Sequence, residues 1–330
     1  MILVDADVLG RNRTGEETYV LNLLRRLPHV APDLTFVAVT RHPDLVPDGV
    51  EPIHLPARFQ ETRMALSLPR LLRRLRPQVS HFQHALPLGL RGPSVVTIHD
   101  VHFERDPKVM GLADRVTFKL VVPRAVRNAT HVLAVSERTK RDVVELYGVP
   151  TEKVTVTPHG VDPAFGPGDG SHDGFLLFVG AVQARKDPLA ALAAADATGL
   201  PLVVAGPEKD RALTRMLRAR GADVRGWVEK DELAELYRRA AAFVLPSRYE
   251  GFGVPVLEAM ASGTPVVLSD DAALREVAGE AGIYGDLAAG VRAAVADRDR
   301  FARAGVARAS RYSWDESARR TADVYRAVLA

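Results

Sequence analysis

The chain has 330 residues, of which 47% are hydrophobic and 26% charged, and its formal net charge at pH 7 is +3. This length allows two α/β domains with separate cores, and the small net charge by itself indicates no class of partner. The chain has no cysteine, which excludes disulfides, thiolate catalysis and metal centres held by cysteine.

Short β-branched runs alternate with longer helical segments in the first half, a pattern that predicts βαβ units and a parallel sheet. The predicted strands are Met1–Asp5, Leu34–Thr40, Gln78–His81, Ser94–His99 and His131–Val135. The predicted helices are Glu17–Leu27, Leu66–Leu75, Leu112–Asn128 and Glu137–Tyr147.

The second half repeats the alternation, and its apolar runs lack polar residues in between, as expected for strands covered by helices on both faces. The predicted strands are Phe175–Val179, Leu202–Ala205, Val224–Gly226, Ala242–Pro246 and Pro265–Ser269. The predicted helices are Pro188–Ala197, Arg211–Arg220, Asp231–Ala241 and Val256–Ala261.

A stretch rich in Gly, Pro and Asp, Val161–Gly174, has the composition of a linker between these halves. We therefore predict two α/β domains, 1–165 and 166–312. Open α/β sheets bind ligands at the carboxyl ends of their strands, so the expected site lies in the cleft between the domains.

The most informative segment is the turn after the strand that ends near Pro246. Gly251 and Gly253 let the backbone bend sharply and approach a ligand, and their amides, with those at the following helix start, could hold an anion. Glu250 and Glu258 are eight residues apart, about 12 Å on a continuous helix. This is too far for the acid pair of a glycosidase, which needs about 5–9.5 Å. The spacing suits two carboxylates that hold hydroxyls at opposite ends of a long ligand, such as a sugar and a ribose.

In its sequence, the segment Tyr-Glu-Gly-Phe-Gly-Val-Pro-Val-Leu-Glu-Ala-Met-Ala-Ser-Gly-Thr-Pro-Val-Val resembles the hallmark of glycosyltransferase family 4, whose members are retaining, metal-independent enzymes with the GT-B fold. The resemblance implies that Glu250 contacts the donor sugar, as part of the catalytic pocket, and that Glu258 binds the ribose. It also implies that the amides of Gly251, Phe252, Gly253 and Val254 line the sugar and the diphosphate. The alternative is a glycine turn with a capping acid.

A basic pair, Arg185 and Lys186, follows a strand and a glycine and precedes a helix. Arginine offers a planar fork and lysine a point charge, both suited to a diphosphate. The loop resembles the diphosphate-binding loop of the family, although Ala181 stands where many members have arginine. Cations at a helix N-terminus are repelled by the positive end of the helix dipole, so an anion bound between the basic pair and the helix is favoured. The alternative is a solvated pair at a helix start.

Further positions come from the resemblance. His99, at the end of a buried strand, matches the family's histidine that contacts the donor sugar, and a core or capping histidine is the alternative. The segment Arg13-Thr-Gly15 resembles the glycine loop that meets the phosphates, and Gly226-Trp-Val228 resembles the loop that holds the base. His81 and His84 follow an earlier strand and are expected to stay away from the ligand.

The resemblance covers nearly the whole chain and is strongest around residues 175–285. It implies a separate role for each part of the chain. Residues 1–165 form the acceptor side, 166–312 the nucleotide-sugar side, and 313–330 a last helix that crosses back to the first domain. The donor is expected to be a GDP- or UDP-sugar with a hexose-type group. The acceptor is a glycan, a lipid-linked or a small molecule, as in cell-surface glycan or glycolipid synthesis.

No cofactor and no metal are expected, because the Asp-x-Asp triplet Asp5-x-Asp7 ends a strand and is interpreted as a strand-terminal feature. Three alternative functions remain: a nucleotide-sugar epimerase, a hydrolase on the same fold, or a non-catalytic nucleotide-sugar-binding module. A nicotinamide dehydrogenase is disfavoured, because no Gly-x-Gly-x-x-Gly follows the first strand of either domain.

The segment Arg58–Arg76 contains six arginines against a single acid, with leucines interleaved. It predicts either an amphipathic helix on anionic lipid or a helix that packs its leucines on the core and solvates its arginines. No apolar stretch reaches the length of a membrane span or a signal peptide, so we expect a cytoplasmic protein, at most peripheral on the inner face of the membrane. Nucleic acid is not an expected partner, because aromatics are few and basic tracts are absent elsewhere.

Overall fold

A computed structural model describes residues 1–11, 14–105 and 112–330, the side chains of residues 14 and 112–115 excepted. The chain forms two compact domains. The first domain comprises Met1–Gly160 together with Ser313–Ala330, and the second domain comprises Val161–Tyr312.

The first domain is built on a parallel sheet whose strands lie in the order β3-β2-β1-β4-β5-β6-β7 within the described part of the chain. The inner strands are apolar and buried on both faces, as parallel strands covered by helices must be. The strands are β1 (Ile2–Asp5), β2 (Phe36–Thr40), β3 (Glu51–His54), β4 (Val79–Gln83), β5 (Ser94–Ile98), β6 (His131–Ala134) and β7 (Val154–Val156).

The helices of this domain follow the strands along the chain. They are α1 (Thr14–Val30), the single turn α2 (Gln60–Thr62), α3 (Leu68–Leu75), α4 (His102–Arg105), α5 (Leu112–Asn128), α6 (Glu137–Tyr147) and α14 (Trp314–Leu329). A short π-helix, Arg63–Ser67, joins α2 to α3.

The second domain repeats the architecture with a parallel sheet in the order β10-β9-β8-β11-β12-β13. Its strands are β8 (Leu176–Val179), β9 (Leu202–Ala205), β10 (Asp223–Gly226), β11 (Ala242–Leu245), β12 (Val266–Leu268) and β13 (Gly282–Tyr284). Its helices are α7 (Pro188–Thr198), α8 (Arg211–Ala219), α9 (Lys230–Arg239), α10 (Val254–Ala261), α11 (Ala272–Ala278), α12 (Leu287–Ala296) and α13 (Arg298–Ala309).

Both sheets reverse their strand order next to the first strand, which is the Rossmann arrangement. In the second domain the reversal lies between β8 and β11, which pair directly with Leu176 opposite Ala242 and Leu177 opposite Phe243. The loops that leave these two strands therefore start side by side at the carboxyl edge of the sheet. The fold thus confirms two Rossmann-like parallel-sheet domains, the building blocks of the expected GT-B fold class.

The last helix, α14, belongs to the core of the first domain. It packs along α1, and its Tyr325 is fully buried with its hydroxyl 2.6 Å from Nδ1 of His81. At its start, Gly160 lies so close to Trp314 that a Cβ at residue 160 would come within 2.1 Å of the Trp314 nitrogen. Residues 313–330 are therefore tied to the first domain by packing and by a buried hydrogen bond.

The arginine-rich segment Arg58–Arg76 turns its leucines inward. Leu68, Leu71 and Leu72 are buried, whereas Leu66 is 47% exposed and the arginines of α3 lie at the surface. Most leucines of this segment therefore pack on the core, as the second alternative predicted. Among the described residues, no helix is both long enough and apolar enough to cross a membrane.

Candidate functional site

Two loops meet at the carboxyl edge of the second sheet because β8 and β11 are neighbours. The first follows β8 and ends at Asp187, which caps α7 in a left-handed conformation with φ +49°. The second follows β11 and ends at Gly253. The amide of Arg248 donates to the carbonyl oxygen of Arg185 at 2.9 Å, so a backbone hydrogen bond fastens one loop to the other.

The basic pair and the first acid of the hallmark segment form one buried cluster, which we call the Glu250 cluster: Arg185, Lys186 and Glu250. The Lys186 ammonium donates to Oε1 of Glu250, and Nη1 of Arg185 lies 3.6 Å from Oε2. Arg185 also donates to the carbonyl oxygen of Tyr249. All three side chains of the cluster are buried. With two cations and one anion, it carries a net positive charge suited to an anionic ligand.

Glu250 stays ionised despite its burial. Burial is the largest influence on its carboxyl group and by itself raises the pKa, but the charges of Lys186 and Arg185 and hydrogen bonds from Lys186 and Ser247 outweigh it. The net pKa of Glu250 is therefore lowered from its ordinary value.

The contacts of the Glu250 cluster all lie within one domain. All three residues of the Glu250 cluster lie within the second domain and touch one another. The physical reason is the pairing of β8 with β11, which places both loops on the same edge of one sheet.

The glycine turn leads directly into α10. Gly253 has φ +108°, and a Cβ at this position would lie 2.8 Å from Cδ2 of Leu274, so only glycine fits without strain. No side chain caps α10, and among the described residues the amides of Gly253 and Val254 have no hydrogen-bond partner. These amides form the positive end of the helix, close in sequence to Glu250.

The other residues of the turn have packing roles as well. Gly251 is buried, and the ring of Phe252 is buried edge-on against Tyr312, with 5.8 Å between the ring centroids. Phe252 could therefore face a ligand only through its backbone.

Glu258 lies one helical turn further, on α10, and is half-buried. The fully buried Tyr237 of α9 donates its hydroxyl to Oε2 of Glu258 at 3.0 Å. Burial raises the pKa of the Glu258 carboxyl to about 8, with Asp162 adding to the rise, whereas the Tyr237 hydrogen bond and the charge of Lys230 lower it. The group therefore holds a proton at neutral pH in the free protein.

Val228 follows β10 and is half-buried. The strand ends at Gly226, with φ +70°, whose carbonyl oxygen accepts a hydrogen bond of 2.7 Å from the amide of Gly206 after β9. Val228 is thus held at the carboxyl edge of the same sheet as the Glu250 cluster.

In the first domain, His99 follows β5 and stands in an aromatic cluster. Its Nε2 lies 3.0 Å from Oε1 of Gln83, and its ring stacks on His159 with 5.9 Å between centroids and a 9° tilt. Tyr19 meets the ring edge-on at 4.9 Å. Burial, followed by the charge of His84, lowers the pKa of His99 to about 4, so its imidazole is neutral at pH 7.

The two other histidines of the sequence analysis differ from each other. His81 is fully buried between Tyr325 and Thr97, and burial lowers its pKa to about 3, which makes it a core residue. His84 lies beside His99, at 5.2 Å between ring centroids, and pairs with Glu16 at 3.3 Å. His84 also adopts φ +57°, a conformation unusual for a residue other than glycine.

Gly15 lies in the first turn of α1, where a Cβ would meet no atom of the described residues within 4 Å. Arg13, the first residue of the predicted glycine loop, lies outside the described residues.

Both carboxylates of the Asp5-x-Asp7 triplet form ion pairs with arginines. Arg63, on the π-helix, is fully buried and binds both oxygens of Asp5 at 2.5 and 3.0 Å. Asp7 accepts two hydrogen bonds from Arg41, at 2.8 and 2.7 Å, and one from Arg11 at 3.2 Å. Over residues 1–11, 14–105 and 112–330, no group of three or more His, Asp or Glu is arranged to hold a metal ion.

Sequence reasoning did not identify two residues that belong to these arrangements. Tyr237 carries no signal of its own, since a tyrosine inside an amphipathic helix is usually a core residue. His159 lies in the segment Thr-Pro-His-Gly, just before the linker. Its contacts with the rings of His99 and Trp314 become apparent only in the folded structure.

Comparison with known proteins identifies two matching families. The family described as Glycosyltransferase Family 4 matches residues 13–165, and the family described as Glycosyl transferases group 1 matches residues 167–304. A D-inositol 3-phosphate glycosyltransferase of Catenulispora acidiphila is 30% identical over an alignment that covers 97% of this chain and 92% of that protein. Among similar curated proteins, the alignments cover from 51% to 92% of the relative's length.

Solved structures show the same fold. Sucrose-phosphate synthase of Thermosynechococcus elongatus superimposes with a TM-score of 0.81 at 19% identity, over 99% of this chain and 98% of the other. The Anabaena protein Alr3699/HepE, solved in complex with UDP-glucose, superimposes with a TM-score of 0.74 at 14% identity, over 99% of both chains.

Proposed function

This chain belongs to glycosyltransferase family 4, and from that premise we propose which groups of the chain perform sugar transfer and by which chemistry. The enzyme is a glycosyltransferase that uses a nucleotide sugar. In our proposal it moves a hexose from a nucleoside-diphosphate donor to an acceptor hydroxyl, with retention of the anomeric configuration and without a metal ion.

The observation that carries the proposal is the Glu250 cluster, which combines two buried cations and one ionised carboxylate at the carboxyl edge of the second sheet. Ligands of open α/β sheets bind at such an edge, where the strand order reverses. A diphosphate supplies the negative charge that Arg185 and Lys186 favour, and a sugar supplies hydroxyls for Glu250.

The leaving diphosphate gains negative charge as the sugar departs. Arg185, Lys186 and the amides of Gly253 and Val254 are fixed by packing and hydrogen bonds before the ligand arrives, so little reorganisation is required to stabilise that charge. Gly251 and Phe252 contribute through their backbone. Gly15 is the proposed backbone contact of the first domain with the phosphates.

Because Nε2 of His99 donates to Oε1 of Gln83, the neutral ring has Nδ1 left to accept one hydrogen bond from a hydroxyl of the transferred sugar. Its pKa of about 4 keeps the ring neutral over the physiological range. Glu250 accepts from other sugar hydroxyls. Because Glu250 is held by Lys186 and Arg185, we assign it to binding the sugar rather than to covalent attack, so that retention arises from displacement on the same face.

At the other end of the donor, Glu258 is the proposed partner of the ribose hydroxyls and Val228 of the base. The bound UDP-glucose of the structurally similar Anabaena protein supports a donor of this class, either a UDP- or a GDP-sugar. The C. acidiphila relative supports a small polar acceptor, alongside a glycan or lipid-linked acceptor.

Contact with anionic lipid through Arg58–Arg76 stays a prediction for the exposed arginines of this segment, since Arg63 is buried against Asp5. Sedimentation with phosphatidylglycerol vesicles measures it, and no co-sedimentation at low salt would contradict it.

A transfer assay with each donor tests the function. Thermal shift against UDP, GDP and their sugars selects the nucleotide, and transfer is then measured with and without EDTA. We expect Glu250→Gln to lose transfer at least about 100-fold, whereas Glu235→Gln, on an exposed helix face, retains it. Undiminished transfer by Glu250→Gln contradicts the proposal, and loss of activity with EDTA contradicts metal independence.

Two other outcomes correspond to the alternative functions. Sugar release or epimerisation without an acceptor would indicate a hydrolase or an epimerase, and donor binding without turnover would indicate a binding module.

A further inference from the structure

The hydroxyl of Tyr237 is buried against the acid of α10. Tyr237 is fully buried in α9, its ring meets Phe165 and Phe243 with 5.7 Å between centroids in each case, and its hydroxyl donates to Oε2 of Glu258 at 3.0 Å. No other hydrogen bond of that hydroxyl occurs among the described residues. The tyrosine therefore reaches the carboxyl group from inside the domain.

The other oxygen of the carboxyl group is in a different position. Glu258 is only half-buried, and Oε1 carries no hydrogen bond within the described part of the chain. One oxygen is thus fixed by the core and the other is left for a ligand. A carboxylate held on one side loses less rotational freedom when it binds a diol on the other.

We propose that Tyr237 is a positioning residue for the donor: its hydroxyl holds Oε2 of Glu258 so that Oε1 receives the ribose hydroxyls. This inference rests on the proposed function, which assigns the ribose to Glu258, and it adds the residue that orients that acid. Tyr237 does not touch the donor itself.

The groups around Glu258 also make ribose recognition depend on pH. The facing groups are Tyr237 and Lys230 from α9 and Asp162 from the segment after β7, and burial raises the pKa of Glu258 to about 8. Ribose hydroxyls donate to the carboxylate, so they bind its ionised form better. Ribose recognition therefore strengthens as the pH rises from 6.5 to 8.

Removing the Tyr237 hydroxyl has a defined effect on this behaviour. The hydrogen bond lowers the Glu258 pKa, so Tyr237→Phe raises it further and moves the pH dependence to higher pH. The loss of one hydrogen bond to a carboxyl group weakens ribose recognition by about tenfold. Because phenylalanine keeps the ring packing against Phe165 and Phe243, the variant is expected to fold.

The test compares dissociation constants of a nucleoside diphosphate and its 2′,3′-dideoxy analogue by calorimetry at pH 6.5 and 8.0. UDP or GDP is used, whichever the wild-type protein binds. The quantity of interest is the ratio of the analogue's Kd to that of the natural nucleotide. Ionisation of the terminal phosphate is common to both ligands and cancels in this ratio.

We expect the wild-type ratio to exceed ten at pH 8.0 and to fall at pH 6.5. In Tyr237→Phe the ratio at pH 8.0 is about tenfold smaller. In Glu258→Gln the ratio no longer depends on pH. Tyr284→Phe is the matched control, since its hydroxyl donates to the carbonyl oxygen of Gly279 at 2.7 Å, and it should keep the wild-type ratio.

The outcomes separate the two claims. If neither UDP nor GDP binds, or if the wild-type ratio is one, the proposed function fails in its assignment of the nucleotide or the ribose. If the wild-type ratio is large and Tyr237→Phe leaves both its size and its pH dependence unchanged, only the role of Tyr237 is overturned. An equal loss in Tyr284→Phe would also overturn it, because the effect would then be a general loss of packing.

Discussion

Replacing Lys186 by methionine separates the structural role of the Glu250 cluster from its chemical role. Methionine keeps the length of the side chain and removes the ammonium group that binds Oε1 of Glu250. The variant leaves a buried carboxylate whose remaining cation, Arg185, lies 3.6 Å from Oε2. We expect the second domain to lose stability and the enzyme to lose transfer.

The size of the loss follows from the burial. Breaking a buried ion pair by removing one partner costs about 3–5 kcal/mol, and the remaining Arg185 reduces this to about 2–3 kcal/mol. In a domain of about 150 residues, 1 kcal/mol moves the midpoint by about 2–4 °C. Scanning calorimetry at pH 7 should therefore show the transition of the second domain roughly 5–10 °C lower.

The pH dependence has a definite sign. The folded-state pKa of Glu250 is lowered, so its ion pair stabilises the fold above the unfolded pKa of about 4.5, and this contribution is lost as the pH falls through the folded pKa. The difference between the wild type and Lys186→Met should therefore narrow below about pH 4.5.

The double variant Lys186→Met with Glu250→Gln completes the test. It removes the carboxylate that has lost its hydrogen-bonded cation, while Arg185 keeps its hydrogen bond to the carbonyl oxygen of Tyr249, so part of the stability should return while transfer remains lost. Arg220→Met, which removes a solvent-exposed partner of Asp196, is the control and should barely move the midpoint. A double variant as unstable as the single one, or a single variant as stable as the wild type, would refute the reasoning.

Three further predictions concern single residues. In urea unfolding, Gly253→Ala should destabilise the second domain by about 2–3 kcal/mol, because its Cβ would lie 2.8 Å from Leu274 at φ +108°. The control Gly199→Ala, at φ +71° with no described atom within 4 Å of its Cβ, should cost only about 1 kcal/mol. Equal losses of stability in the two variants would contradict this prediction. An NMR titration of His99 in the free protein should show a midpoint at about pH 4, and a midpoint near 6.5 would be inconsistent with its burial. For Glu258 the folded pKa of about 8 lies above the unfolded one, so wild-type stability should fall between about pH 4.5 and pH 8, by up to about 5 kcal/mol more than in Glu258→Gln. Parallel stability profiles would contradict this prediction.

The sequence predicted the inner strands of both sheets and missed three of the four edge strands that the structure describes. All ten predicted strands occur within a few residues of their predicted bounds. The three that were not predicted, β3, β7 and β13, are outermost in their sheets. They have three or four residues, and β3 is exposed and contains Pro52, which only an edge strand tolerates. Such strands have no apolar run for sequence reasoning to detect.

The sequence identified residues of the candidate site but not the contacts between them. Glu250, Arg185 and Lys186 were each found from their local sequence, yet their pairing depends on β8 lying beside β11, which no local pattern encodes. The contact of Tyr237 with Glu258 depends in the same way on the packing of α9 against α10. The burial of the leucines in Arg58–Arg76 also depends on tertiary packing, since the sequence pattern alone suited either anionic lipid or the protein core.

A crystal structure of the enzyme with its sugar nucleotide bound tests the central claim most directly. We predict the pyrophosphate within hydrogen-bond distance of Arg185 and Lys186 and beside the amides of Gly253 and Val254, with Glu250 turned to the sugar. A pyrophosphate bound elsewhere, with the contacts between Glu250 and its two cations unchanged, would contradict the account.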